Sequence, residues 1–220
     1  MTWIKICGTT NLDDALLAVE AGADALGFVF YEKSPRYVTP ELAREIVREL
    51  PKEVEAVGVF VNKYEDDILD TAARVGLTAV QMHGDNEDPH VADLVVEKRP
   101  DLSVFAAISM SNERPEGSAM MYDPDSVRAF LLDSARAEKR GGTGEVFDWS
   151  GAKRSVEVIK TLGDIVVAGG LTPGNVAQAM GVLRPWGVDV VSGVERTAGK
   201  KDSAKVRAFV AAVREAEREQ

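Results

Sequence analysis

One cysteine, Cys7, stands among 220 residues. A lone cysteine excludes an internal disulfide and a cysteine-based structural zinc site within one chain. Histidine is almost as scarce. His83 and His90 are the two present, and their spacing matches no metal-ligand motif, so no metal site is expected. No apolar run reaches the roughly 20 residues needed to span a bilayer, so no membrane partner is expected. The opening residues, Met1-Thr2-Trp3-Ile4-Lys5-Ile6-Cys7-Gly8, lack a basic leader followed by an apolar stretch and a small-residue cleavage site, so cytoplasmic residence is expected. Positive charge is also short: 26 Lys and Arg stand against 36 Asp and Glu, a net charge of −10. Such a chain repels a phosphate backbone, which argues against a nucleic-acid role. The excess carboxylates are spread along helical segments, as a dispersing surface would have them.

What is present is ordinary in bulk and regular in order. Hydrophobic residues make up 45% and charged residues 28%, as in common globular domains. No linker divides the chain, so residues 1–220 read as a single domain with ample material for a core. Short β-branched runs at 3–7, 25–30, 56–61, 79–83, 103–108, 129–133, 165–168 and 188–191 alternate with helical patterns. Eight such strands with crossovers predict an α/β fold of the (β/α)8-barrel type. The competing open, doubly wound sheet would carry a Gly-x-Gly-x-x-Gly turn after its first strand; here that turn is Cys7-Gly8-Thr9-Thr10-Asn11. Helical stripes are read at Leu12, Leu16 and Val19, and at Val206, Phe209, Val210 and Val213. Thr39-Pro40 and Thr172-Pro173 are read as helix starts, an N-cap hydroxyl followed by proline at the first helical position. The fifth unit, 109–125, is rich in Asn, Pro, Gly and Met and should hold a short or irregular helix. Gly141-Gly142-Thr143-Gly144 reads as a mobile loop after the sixth strand.

In such a barrel, chemistry sits at the C-terminal ends of the strands. Cys7 ends the first predicted strand and Asp133 the sixth. A thiolate can take a proton or attack a carbonyl, and a neutral carboxylic acid can donate a proton. Equally, Cys7 can be a small buried apolar residue and Asp133 a turn cap. Lys5 shares the parity of Cys7, points inward and must be paired, with Asp189 the first choice. Gly169 and Gly170 follow the seventh strand, Ser192 and Gly193 the eighth. Glycines there let backbone N–H groups approach an anion, which is the usual phosphate seat of phosphate-using barrels, although tight turns also need glycine. Arg36, in Ser34-Pro35-Arg36-Tyr37, is either a bidentate carboxylate clamp or a solvated loop residue. His83 ends the fourth strand, and a Cys7–His83 nucleophile pair is conceivable, but nothing else in the chain suggests acyl transfer.

From Lys5 to Asp202 the ordered set of segments resembles the phosphoribosylanthranilate isomerase family. It is carried by Lys5-Ile6-Cys7-Gly8, Asp24-Ala25-Leu26-Gly27-Phe28-Val29-Phe30, Ser34-Pro35-Arg36-Tyr37, Val57-Gly58-Val59-Phe60-Val61-Asn62 and Gln81-Met82-His83-Gly84. Leu131-Leu132-Asp133, Phe147-Asp148-Trp149 behind the 141–144 glycines, the 168–171 turn and Asp189-Val190-Val191-Ser192-Gly193-Val194-Glu195 complete it. The resemblance implies a cofactor-free Amadori rearrangement of tryptophan biosynthesis. In it, N-(5-phosphoribosyl)anthranilate becomes 1-(2-carboxyphenylamino)-1-deoxyribulose 5-phosphate. It further implies Asp133 as general acid, Cys7 as general base and Arg36 as the anthranilate carboxylate clamp. Gly169, Gly170, Ser192 and Gly193 would form the phosphate cradle, with His83 and Asp189 lining the pocket. A waiting acid must keep its proton, which calls for burial or a nearby anion. A ready base must shed its own, so the Cys7 pKa is expected to be depressed by cationic or dipolar neighbours. Thr9 and Val191 depart from the family pattern, and the fifth unit matches it poorly; Val191 would remove a side-chain contact to phosphate. A monomer or a homodimer would suit this reading.

Other readings remain at this point. Other phosphate-binding barrels share the glycine turns: an indoleglycerol-phosphate synthase, a pentose-phosphate epimerase or a histidine-pathway isomerase. The Cys7 and Asp133 pair speaks against them. A non-enzymatic barrel that holds a sugar phosphate as a sensor or scaffold would show affinity without turnover.

Overall fold

The computed structural model describes residues 1–84, 88–134 and 146–219. The 141–144 glycine loop expected from the sequence lies outside the described residues. Eight strands, β1 (Trp3–Cys7), β2 (Ala25–Val29), β3 (Glu55–Phe60), β4 (Ala79–Met82), β5 (Ser103–Ser109), β6 (Ala129–Asp133), β7 (Asp164–Val167) and β8 (Gly187–Val190), alternate with helices. The helices are α1 (Leu12–Ala21), α2 (Pro40–Arg48), α3 (Glu65–Val75), α4 (His90–Lys98), α5 (Pro115–Ala119), α6 (Trp149–Ile159), α7 (Val176–Leu183) and α8 (Ser203–Arg218). All neighbouring strands pair in parallel in chain order, and β8 returns to β1 with Lys5 opposite Asp189, so the barrel is closed. The expected strand boundaries lie within one residue of these. Among the described residues no helix is long and apolar enough to cross a membrane.

The two strand faces do different work. Outward residues such as Ile4, Ile6, Leu26, Phe28, Phe130 and Val188 are buried beneath the helices and join one large apolar cluster with them. Inward residues form a second, smaller cluster of Trp3, Ala25, Val57, Ala79, Phe105, Ala129, Leu131, Val166 and Ala168. Trp3 plugs the N-terminal end, stacked between Phe105 at 5.2 Å and Trp186 at 5.1 Å. Gly187 makes room for it, since a Cβ there would stand 2.9 Å from the indole. Arg128 closes that end. It lies over both the Phe105 and Trp186 rings and pairs with Glu55. The open end of the barrel is therefore the one that carries the strands' C-termini.

Several helix signals hold at the level of single atoms. The Thr39 hydroxyl accepts from Leu42 N–H, with Pro40 opening α2. The Val206, Phe209, Val210 and Val213 stripe of α8 is buried. The fifth unit is short, with α5 five residues long.

Three local features differ from expectation. Leu12 and Leu16 are 36% and 43% exposed, while Ala15 and Ala18 are the buried residues of α1. A helix that lies close to the sheet favours small side chains on its contact face, so of the expected stripe Val19 alone packs against the core. Thr172-Pro173 does not cap α7, which starts at Val176. Asn175 folds back instead: its Oδ1 accepts from Thr172 N–H and its Nδ2 donates to Gly170 O, tying the residues before the helix into a turn. Between β8 and α8 lies an antiparallel ribbon, β9 (Glu195–Thr197) with β10 (Lys200–Lys201), that no periodicity announced.

Candidate active site

A cavity of about 560 Å³ opens at the C-terminal mouth, walled by Cys7, Val29, Tyr31, Lys33, Ser34, Pro35, Arg36, Val59, Val61, Gln81, His83, Leu131, Asp133, Asp189 and Val191. Strand parity explains the wall. Trp3, Lys5 and Cys7 point inward at successive levels of β1, as do Ala79 and Gln81 of β4 with His83 just past its end, and Ala129, Leu131 and Asp133 of β6. The lowest level is the apolar plug. The middle level is buried and sets the polar Lys5 and Gln81 beside the apolar Leu131, and the top level faces the cavity.

At the middle level the Lys5 ammonium, 1% exposed, donates to Asp189 Oδ1 at 2.7 Å and to Gln81 Oε1 at 2.9 Å. The expected Lys5–Asp189 pair is thus formed directly beneath Cys7. An ammonium can only donate, so Gln81 must give it the carbonyl and turn its amide nitrogen toward His83 Nδ1, 3.4 Å away. That nitrogen is then an acceptor. In the neutral ring the proton sits on Nε2, which faces Asp133 Oδ2 at 3.9 Å.

Cys7 is buried with its thiol against β2, where a Cβ on Gly27 would overlap the sulfur. Gly27 therefore creates the slot that the thiol occupies. Burial pushes the Cys7 thiol above its ordinary value. Lys5 and Lys201 pull it down and Asp189 pushes it up. This corrects the expectation of a depressed thiol, because desolvation at the strand end outweighs the two nearby cations. Burial pulls Lys5 down, but Asp189 and Cys7 outweigh it and hold the ammonium above its usual value.

Arg36 is buried, not a solvated loop residue. Its Nε and Nη2 grip Glu195 side-on, at 2.9 Å to Oε1 and 2.7 Å to Oε2. Its alkyl chain runs over Gly8, which has φ of +77°; a Cβ there would lie 2.7 Å from Arg36 Cδ.

The glycine turns meet backbone to backbone. Gly169 and Gly170 both have positive φ, at 73° and 66°. A Cβ on Gly193 would overlap the Leu171 carbonyl oxygen, and one on Gly169 would lie 2.7 Å from Asp133 Oδ1. Ser192–Val194 forms a 3₁₀ turn, and the first N–H groups of such a turn lack acceptors within it. Gly169, Gly170, Ser192 and Gly193 do not wall the 560 Å³ cavity, though Gly169 abuts Asp133 and Val191 joins the cavity to the Ser192 turn. His90 is remote from all of this, paired with Asp93 in α4. Among the described residues no three His, Cys, Asp or Glu side chains gather to hold a metal ion.

The family model for N-(5'-phosphoribosyl)anthranilate (PRA) isomerase matches residues 4–212. The chain belongs to this family. An isomerase of that name from Geobacter sp. (strain M21) is 51% identical over 211 residues, covering 96% of this chain and 97% of the relative. The crystal structure of phosphoribosyl anthranilate isomerase from Thermotoga maritima superposes with a TM-score of 0.88 at 45% identity, over 98% of this chain and 100% of that one. A phosphoribosyl anthranilate isomerase solved in complex with reduced 1-(o-carboxyphenylamino)-1-deoxyribulose 5-phosphate matches at 0.84 and 43% identity, over the same shares.

In this member of the phosphoribosylanthranilate isomerase family, five supporting residues escaped the sequence reading: Gly8, Gly27, Gln81, Glu195 and Lys201. Gln81 was findable, since it shares the inward parity of His83. Gly8, Gly27 and Glu195 lay within the quoted segments without a stated role. Lys201 gave no signal at all. It reaches the site only because the β9–β10 ribbon folds back under β1, where Lys201 Nζ donates to the Cys7 carbonyl oxygen.

Proposed function

We propose that this chain catalyses the Amadori rearrangement of N-(5-phosphoribosyl)anthranilate to 1-(2-carboxyphenylamino)-1-deoxyribulose 5-phosphate, the isomerase step of tryptophan biosynthesis. The observation that supports it best is the shared cavity, in which Cys7 from β1 and Asp133 from β6 line one wall system with Arg36 at its side. Family membership supports the reaction, and the shared cavity supports the roles of Cys7, Asp133 and Arg36. Asp133 protonates the ribose ring oxygen. The anilino nitrogen pushes its electron pair toward C1′ and the ring opens to a protonated Schiff base. His83 Nε2–H then faces the carboxylate that Asp133 has become. Cys7 removes the C2′ proton, and the C–H electron pair flows through C1′ to the nitrogen. The enolamine tautomerises to the ketone.

The remaining parts have separate tasks. Arg36 receives the anthranilate carboxylate. The phosphate rests on the Gly169-Gly170 turn and the Ser192-Gly193 turn, the site that strands seven and eight commonly build in such barrels. Here Val191 offers no polar side chain, so backbone N–H groups carry that contact. On this reading residues 1–220 act as one catalytic domain in the cytoplasm, as a monomer or homodimer, with a phosphorylated small molecule as the partner. The test is loss of anthranilate-adduct fluorescence with purified protein. Turnover by the wild type that Cys7→Ser lowers about 10²- to 10⁴-fold is expected, and an inert wild type would refute the assignment.

A further inference from the structure

We propose that Glu195 is the positioning residue that sets which face of Arg36 meets the substrate. This rests on Arg36 being the carboxylate clamp. A guanidinium has five N–H donors and two bidentate edges. Glu195 takes the Nε–Nη2 edge, with Nε at 2.9 Å from Oε1 and Nη2 at 2.7 Å from Oε2. Only the Nη1–Nη2 end is left to grip a second carboxylate. Arg36 walls the cavity and Glu195 does not, so the substrate approaches end-on while Glu195 holds the group from behind.

Glu195 is itself fixed by a frame. Its Oε1 accepts from Gly199 N–H at 3.1 Å and from Lys201 Nζ at 3.4 Å, and the same Nζ donates to the Cys7 carbonyl oxygen. The ribbon carrying Glu195 and Lys201 therefore joins the clamp to the end of β1. Its charge is also suited to the task. Two cations against one carboxylate leave the cluster positive, so Arg36 stays attractive to an anion even though it is already paired. Without Glu195 the guanidinium would keep its charge and lose its orientation. The damage should fall on recognition of the carboxylate and spare the proton transfers.

The test compares two substrates, N-(5-phosphoribosyl)anthranilate and N-(5-phosphoribosyl)aniline, which lacks the carboxylate. For Glu195→Gln, KM for the anthranilate substrate should rise about 10- to 100-fold, the worth of a charge-assisted contact, with kcat changed far less. KM for the aniline substrate should stay at its wild-type value. In an Arg36→Met background, adding Glu195→Gln should cause no further loss. Should Glu195→Gln fail to fold, Glu195→Asp retracts the carboxylate by one methylene and should give a smaller rise with the same selectivity. Equal loss on both substrates would reveal a merely structural carboxylate and overturn the proposal, as would an unchanged anthranilate KM. If the wild type turns over both substrates with equal KM, the clamp reading of Arg36 falls and this proposal falls with it. If the wild type discriminates and neither Glu195 variant alters the discrimination, the proposal alone falls.

Discussion

As the proposed base, Cys7 combines the two demands that such a group in a closed pocket must meet. It has to be dry enough to be a strong base, and near enough to cations to lose its proton. Burial dominates, so the thiol sits above its ordinary value, and Lys5 and Lys201 set how far. A base with a raised pKa is in its active form only at high pH. Alkylation of the Cys7 thiol in the free protein is therefore expected to keep accelerating beyond the usual thiol value of about 8.5. A rate of alkylation flat above neutrality would show the thiol to be depressed instead. In the proposed mechanism Asp133 and Cys7 act on protons in transit, not on ground-state binding. Cys7→Ser and Asp133→Asn should each lower kcat by about 10²- to 10⁴-fold with little change in KM, measured by steady-state fluorescence kinetics. Gly8 and Gly27 matter at this scale as absences: one leaves a groove for Arg36 and the other a slot for the thiol.

At the scale of elements, β1 carries Cys7 on a rail stiffened from both sides. Below it Lys5 is fastened to β4 and β8, and behind it the β9–β10 ribbon is pinned to neighbouring elements. Lys201 N–H donates to Asp14 Oδ2 of α1 at 2.9 Å, and Lys205 Nζ of α8 donates to Glu195 O at 2.9 Å. The ribbon brings a pH signature. Burial opposes the Glu195 carboxylate, but Arg36 and Lys201 outweigh it and hold the carboxyl below its ordinary 4.5. A lowered acid lends its full stability above that ordinary value and loses it as pH falls through the folded value. The urea midpoint of the wild type should therefore exceed that of Glu195→Gln near neutrality, and the gap should narrow once pH drops below 4.5. A gap independent of pH would assign Glu195 a purely steric contribution.

For the whole molecule, the barrel is a stack of levels: an aromatic plug, a buried ion pair, then the cavity. The ion pair is the sensitive level, since Lys5 and Asp189 are both buried, at 1% and 5% side-chain exposure. Lys5→Met should cost about 3–5 kcal/mol in urea unfolding, because it strands the Asp189 carboxylate. A loss under about 1 kcal/mol would mean that water reaches the site after all. The alternation of short β-branched runs with helical patterns determined the eight strands and their order without coordinates, because a strand buried on both faces must be apolar and a crossover must follow it. Parity then turned Lys5 inward with Cys7 and gave it Asp189 as first-choice partner, and strand ends placed Cys7, His83 and Asp133 at one face. Closure was expected with the eightfold count, and what only the tertiary structure decided is what closure brings together. It sets β8 beside β1, lays the ribbon under Cys7, turns Arg36 onto Glu195 and leaves the thiol too dry to be acidic. Such facts depend on which distant segments share a volume and on how much water that volume excludes. No local pattern of side chains encodes either quantity.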